Sequence, residues 1–257
     1  MKILLVNKYL YRKGGAETYF IKLGEYLKSL GNEVEYFGMA DERNCVGNRV
    51  EAYTENIDFH KKSLKHITYP FKIIYSVNAR KQIRKVLSDF KPDVVHLNNF
   101  NYQLTPSIIY EIKKHNIPIV YTAHDVQLVC PNHKLKNDYT DGLCRKCDGG
   151  KYFECVKNNC VHSSKIRSIL GAVEAWYYKL RHTYKMIDLT VCPSEFMEKE
   201  ISRNDDINGR TVTMYNFIDE IKPLGAECEN YVLYFGRYSE EKGISNLVKA
   251  AKKLSNI

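Results

Sequence analysis

What most restricts the fold of this chain is an alternation of short apolar runs, each emptying into a polar loop, with stretches that carry helical spacing. The runs are Ile3 to Val6, Glu33 to Phe37, Val94 to Leu97, Ile117 to Thr122, Ile187 to Cys192 and Thr211 to Met214. Near-continuous apolar runs of this length read as strands covered on both faces, and the intervening helices supply the covers. The pattern therefore predicts an α/β fold with a Rossmann-like parallel sheet and helices on both faces. The helices carry their own marks. Phe20, Leu23, Leu27 and Leu30 share one face, with Gly31 where a left-handed stop belongs. Ile73, Val77, Ile83, Val86, Leu87 and Phe90 predict a single helix from 73 to 90, stopped by Lys91-Pro92-Asp93. Thr105-Pro106 predicts a cap with proline at the first helical position, and Asn116 ends that helix. Ser163 is placed to cap the longest helix. There Ile166, Leu170, Val173, Trp176 or Tyr177, Leu180 and Tyr184 form an apolar stripe expected to pack into the core.

In parallel sheets of this kind, ligands sit beyond the carboxyl ends of the strands. That edge should gather the Gly14-Gly15 loop, Asn98, Asn99, His124 and Asn216. Two glycines ahead of a helix let backbone N–H groups approach an anion closely, and the helix dipole favours negative charge there. The same pair also makes a simple tight turn, and the local sequence leaves both readings open. His124, at the end of the Ile117 to Thr122 strand, is either a group that meets substrate or a satisfied core histidine.

With 257 residues, 44% of them hydrophobic, the chain can bury a full core. The longest apolar stretches are too short and interrupted to span a membrane, and only four apolar residues follow Lys2 before Asn7 and Lys8 intervene, which is not a leader sequence. A cytoplasmic protein is expected. The formal charge of +9, from 39 basic and 30 acidic residues, admits phosphorylated ligands, anionic membranes and nucleic acid as partners. The basic cluster His60-Lys61-Lys62-Ser63-Leu64-Lys65-His66 suits peripheral contact with the inner face of the membrane, or is a solvated surface. Nucleic acid fits poorly: the lysines are dispersed, and no recognised binding motif accompanies them. A dinucleotide oxidoreductase would need G-x-G-x-x-G directly after the first strand, whereas seven other residues separate Val6 from Gly14. A hydrolase using His124, Asp125 and Ser194 would lack a nucleophile elbow.

Cysteine is concentrated in an insertion at residues 130–162, which holds Cys130, Cys144, Cys147, Cys155 and Cys160. Cys144, Cys147, Cys155 and Cys160 offer four thiolates at zinc spacing, with Cys130 or His162 as substitutes, so a structural zinc is one expectation and unliganded thiols are the other. Disulfides are the weaker account in a cytosolic protein. Cys45, Cys192 and Cys228 are scattered and read as ordinary thiols. Beyond residue 219 the composition changes. Residues 220–230, with Pro223 and Gly225, read as a linker. Residues 231–257 then open a second unit with a strand from Tyr231 to Phe235 and a helix carrying Ile244, Leu247, Val248, Ala251 and Leu254.

Several motifs together resemble glycosyltransferase family 4, a family with the GT-B fold. They are the GGAE loop, PDVVHLNN, YTAHD, VCPSEFM, YNFID and above all YFGRYSEEKGISNLVKAAKKL. The resemblance implies two Rossmann-like domains facing a cleft, with acceptor bound by the first (here 1–219) and nucleotide-sugar by the second (here 231–257, truncated). It also implies sugar transfer with retention, no catalytic metal, and a saccharide or lipid-linked saccharide as acceptor. Carried over by position, Gly14 and Gly15 approach the donor diphosphate, His124 lies beside the transferred sugar, and Arg237 and Lys242 hold the departing diphosphate. Asn98 and Asn99 fall on the acceptor side. Those residue types suit a reaction that builds positive charge on the sugar and negative charge on the phosphate. The family's downstream acidic pair has no counterpart before Ile257. An incomplete enzyme, inactive alone, is therefore expected. The alternatives are a non-catalytic acceptor-binding fragment and, remotely, a zinc-containing nucleic-acid module.

Overall fold

In the computed structural model β1 (Lys2–Val6) is flanked on one side by β2 (Glu33–Phe37) and on the other by β3 (Val94–Leu97). β4 (Ile119–Thr122), β5 (Leu189–Cys192) and β6 (Thr211–Thr213) continue the sheet in the order β2-β1-β3-β4-β5-β6, and every pairing is parallel. The structure describes residues 1–56, 69–137, 142–218, 231–236, 238 and 242–254. The basic cluster at 60–66, Cys228 and Arg237 lie outside the described residues.

The expected Rossmann-like sheet is therefore present, and β1 shows why it is covered on both faces. Its side chains alternate. Leu4 and Val6 enter the larger core, while Ile3 and Leu5 enter a smaller one with Phe20 and Ile21 of α1 (Gly15–Ser29) and Val34 and Tyr36 of β2. In α1, Gly24 faces Tyr36 so closely that a Cβ there would fall 2.2 Å from the phenol oxygen, so glycine lets the helix seat on the strand. The larger core is closed by α3 (Val77–Phe90) and α4 (Ser107–Lys114). The expected stops are where the residue types put them: Gly31, Lys91 and Asn116 all take left-handed φ, at 81°, 51° and 56°.

Four local expectations are corrected. The helix from 73 to 90 is two helices, α2 (Tyr69–Ile74) and α3. Ser76 breaks it by adopting an extended conformation: its side chain accepts from Ala79 N–H at 3.1 Å, while its own N–H donates to Thr105 Oγ1 at 3.1 Å. Thr105 is left-handed (φ 57°) and Pro106 flanks α4 without being its first residue. Ser164, not Ser163, caps α6 (Lys165–Leu180).

The fourth correction concerns the stripe on α6. Ile166 is 73% exposed and Leu180 79%, whereas Ser168, Ala172 and Tyr178 are buried. Gly171 lies against Pro131, and Ser168 Oγ accepts from Val161 N–H at 3.0 Å. The small-residue face thus takes the Pro131 and Val161 side of the insertion, while Trp176 meets another part of it, donating its indole N–H to Gly150 O at 3.0 Å. Between these flanks run α5 (Phe153–Lys157) within the insertion and α7 (Glu195–Ile201) after β5, whose Ser194 cap accepts from Met197 N–H.

The chain divides into two compact units, Met1–Phe217 and Ile218–Ile257. In the second, α8 (Ile244–Lys253) follows Gly243 at φ 73°, and none of its residues is buried. Tyr231 to Phe235 forms no strand among the described residues, and Phe235 is fully open to solvent. Without a neighbouring strand, its backbone donors and acceptors have no ladder to join.

Candidate active site

The strand order reverses at β1 and β3, which is where an open parallel sheet leaves a crevice beyond its carboxyl ends. Asn7, directly after β1, ties the two strand ends together. Its Oδ1 accepts from Asn99 N–H at 3.0 Å, its Nδ2 donates to Tyr9 O at 2.7 Å, and Lys8 N–H donates to Asn99 O at 2.8 Å. Asn99 Nδ2 reaches Glu17 Oε1 in the first turn of α1 at 3.4 Å. The start of α1 is thereby fixed to the switch point.

Gly14 and Gly15 stand exposed at that helix start, with no side chain capping the helix. The fold itself does not demand either glycine. Gly14 has φ −163°, which any residue adopts, and a Cβ on Gly15 would meet nothing within 4 Å. Neither glycine is held at a positive φ, although a Cβ on Gly14 would come within 3.3 Å of Glu17 Oε2. The pair leaves uncovered backbone N–H groups at a positive helix end.

His124 follows β4 and joins this corner through Asn98, which is fully buried after β3. The His124 Nε2 lies 2.9 Å from Asn98 Oδ1. An amide oxygen only accepts, so Nε2 carries the proton, and in the neutral ring Nδ1 is left as an acceptor. Burial pushes the His124 pKa down to about 4 against a smaller opposing pull from Asp125, so the ring is neutral at pH 7. Tyr19 of α1 packs edge-on against it, with ring centroids 5.3 Å apart, and meets Phe217 at the same distance on another side. Beneath lies His96, also neutral because burial lowers it to about 4, with Nε2 2.7 Å from Thr122 Oγ1.

A second group of residues, not singled out by the sequence, adjoins this corner. Lys8 Nζ donates to Asn101 Oδ1 at 2.6 Å and lies over the Tyr9 and Tyr102 rings at 5.4 and 5.3 Å. Asp125 Oδ2 is 3.4 Å from His133 Nδ1. Burial alone would raise the Asp125 carboxyl, but the His133 ring, the Gln127 N–H and Lys8 outweigh it and keep the group below its usual value. Lys8, Tyr9, Tyr102 and His133 border a cavity of about 570 Å³ whose other walls include His162 of the insertion and Arg167 and Glu174 of α6. Burial raises Glu174 to about 7, partly offset by His133. A volume of this order suits a small-molecule site, about 300–1,000 Å³. Glu174 sits mid-helix among apolar residues, and only packing reveals it.

Residues 13–221 match the model of Glycosyltransferase Family 4. The chain belongs to that family. Among curated proteins, an uncharacterized 42.6 kDa protein in the cps region of Klebsiella pneumoniae is 25% identical, over 98% of this chain and 65% of its own length. Among solved structures, Anabaena Alr3699/HepE in complex with UDP and glucose is 15% identical at TM-score 0.46, with 85% of this chain and 45% of that chain covered. Sucrose-phosphate synthase from Thermosynechococcus elongatus is 14% identical at TM-score 0.48, covering 83% and 47%. The chain thus spans about two thirds of the curated relative and under half of these two structures.

For this family 4 chain, the site residues named from sequence fall into three groups. Gly14, Gly15, Asn98, Asn99 and His124 meet at one corner of the first unit. Lys242 is exposed in the second unit, just ahead of Gly243 and α8, and Arg237 lies outside the described residues. The five insertion cysteines line a different, small cavity. Among the described residues no helix is long and apolar enough to cross a membrane.

Proposed function

We propose that this protein takes part in transferring a sugar, with retention, from a nucleotide-sugar to a saccharide or lipid-linked saccharide. The observation that carries the reading is the corner at the β1/β3 switch point. An uncapped, glycine-lined helix start and a neutral, hydrogen-bonded histidine are brought together there by Asn7, Asn98 and Asn99. The N–H groups at Gly14 and Gly15 suit a diphosphate. The free Nδ1 of His124 accepts a hydroxyl of the transferred sugar, and its neutrality avoids placing a cation beside developing positive charge. Asn98, being buried, acts by holding His124, and Asn99 fixes the helix start. The acceptor occupies the cavity beside Lys8, Tyr9 and Tyr102. Arg237 and Lys242 neutralise the leaving diphosphate, so the chemistry needs no divalent ion.

The test is turnover of the whole protein with radiolabelled nucleotide-sugars and candidate acceptors. His124→Ala should lower kcat by about two orders of magnitude, the range of a single positioned catalytic group, with the thermal unfolding curve preserved. Because the ring stays neutral down to about pH 4, kcat between pH 5 and 8 should show no break that His124→Gln removes. Unchanged turnover in His124→Ala would sink the assignment.

A further inference from the structure

Cys130, Cys144, Cys147, Cys155 and Cys160 come from separate turns of the insertion, yet all five line one cavity of about 10 Å³, room for a single small sphere. We propose that Cys130, Cys144, Cys147 and Cys160 bind one structural zinc ion there. This is the set in which Cys130, the substitute that the spacing allows, takes the place of Cys155.

Convergence is the first ground. Cys130, Cys144, Cys147 and Cys160 line the same cavity, with Leu135 and Asn132 between the Cys130 loop and the Cys144 to Cys147 turn. Cys144 N–H donates to Leu135 O at 2.7 Å, which pins the Cys144-x-x-Cys147 turn to the loop that follows Cys130.

The second ground is what surrounds the sulfurs. Asn132 and Leu135 line the cavity beside Cys130, and the Lys134 N–H donates to Asn132 Oδ1 at 2.9 Å. His133 and Leu135 take left-handed φ (62° and 50°), which turns successive N–H groups toward one side and forms a concavity for a negatively charged atom. Asn137 donates its side-chain amide to Cys144 Sγ at 3.3 Å and also serves Cys160. Cys155 is held within α5 at 1% exposure, whereas Cys130, Cys144, Cys147 and Cys160 lie in loops and turns that can close on an ion. Lys136 at the cavity wall offsets the charge of a tetrathiolate site.

As placed, the sulfurs are packed as thiols. Among the described residues no three His, Cys, Asp or Glu side chains already form a metal-bonding set, and Cys130 donates its proton to Asn132 Oδ1 at 2.9 Å. Zinc binding replaces four S–H protons, which leave to solvent, with four Zn–S bonds, and the Asn137 amide remains to stabilise the thiolates of Cys144 and Cys160. The ion would brace the insertion that also supplies Pro131, His133 and His162 to the larger cavity.

The experiment measures zinc in protein purified without chelator, by mass spectrometry of the metal. About one zinc per chain is expected. Cys130→Ala should bring zinc to background, while Cys155→Ala and the control Cys45→Ala keep it. If Cys130→Ala does not fold, the unaltered protein reconstituted with cobalt(II) decides the matter. A tetrahedral thiolate site gives a strong sulfur-to-cobalt charge-transfer band, and weak octahedral bands overturn the proposal. So does a zinc content far below one with all eight cysteines titrating as free thiols, or a thiol count in denaturant short of eight, which would indicate disulfides. Loss of zinc in Cys155→Ala with retention in Cys130→Ala overturns the ligand set.

Discussion

Helices α3 and α6 present similar patterns in sequence and different behaviour in the fold. Both carry large apolar residues at helical spacing. In α3 that stripe (Ala79, Ile83, Val86, Leu87 and Phe90) is buried in the main core. In α6 the expected stripe is divided: Ile166, Val173, Trp176 and Leu180 are exposed, Leu170 is half-buried, Tyr177 packs against the main core, and Tyr184, beyond the helix end, is buried. Periodicity establishes that a segment is an amphipathic helix, but which face turns inward depends on what it must fit. Against α3 lies a flat strand surface that large side chains fill. Against α6 lies the irregular backbone of the insertion, which packs closely where the helix offers Ser168 and Gly171 and takes the Trp176 indole N–H at Gly150 O. Phe153, Ile169, Val173 and Trp176 consequently border an open groove.

Substitutions separate the two helices. The largest effect is expected at Phe90. Phe90→Ala removes a fully packed ring and should cost about 3–5 kcal/mol in urea unfolding, the range for emptying an aromatic site in a core. A cost near zero would mean that α3 is not packed as described.

The polar side of α3 should give the next effect. Arg80 Nη2 and Arg84 Nε donate to the Glu111 carboxylate of α4 at 2.7 and 2.6 Å, and Glu111 is 2% exposed. The Arg84 hydrogen bond, above the opposing effect of burial and with help from Arg80, brings the Glu111 pKa down to about 2. Glu111→Gln should cost about 1.5–3 kcal/mol, the value of hydrogen bonds to a charged group. A carboxyl lowered in the folded state stabilises the fold above its unfolded pKa of about 4.3 and loses that contribution as pH falls toward 2. Stability of the unaltered protein should therefore drop over that window, and Glu111→Gln should flatten the drop. An equal slope in both would show that the pair contributes nothing.

The smallest effect is expected on α6. Ile166→Ser should leave stability within about 0.5 kcal/mol, as for exposed substitutions generally. A loss as large as that of Phe90→Ala would show that the α6 stripe is covered in solution, and the contrast between the helices would fail.

Much of the first unit is legible in the order of its residues. Residue chemistry acts locally at Gly31, Lys91 and Asn116, where a left-handed residue ends a helix, and at Asn98, Asn99 and His124, which must fall at strand ends once the strands are parallel. The hydrogen bond from His124 to Asn98 is not legible there, because 26 residues separate them and only the β3–β4 pairing brings their ends together. The same limit explains the break at Ser76, whose partner Thr105 lies 29 residues away.

The sequence by itself determined the α/β alternation, the helix stops and the edge of the sheet where the candidate site falls, since each follows from short-range conformational preference and from strand and helix periods, and its motifs carried the resemblance to the family. Tertiary structure alone decided that α6 turns its small residues inward, that Glu174, His133 and Lys8 share a cavity, and that Cys130 joins the cysteine cluster. Those outcomes depend on close packing between segments distant in the chain, where shape and the satisfaction of buried polar groups outweigh any local pattern.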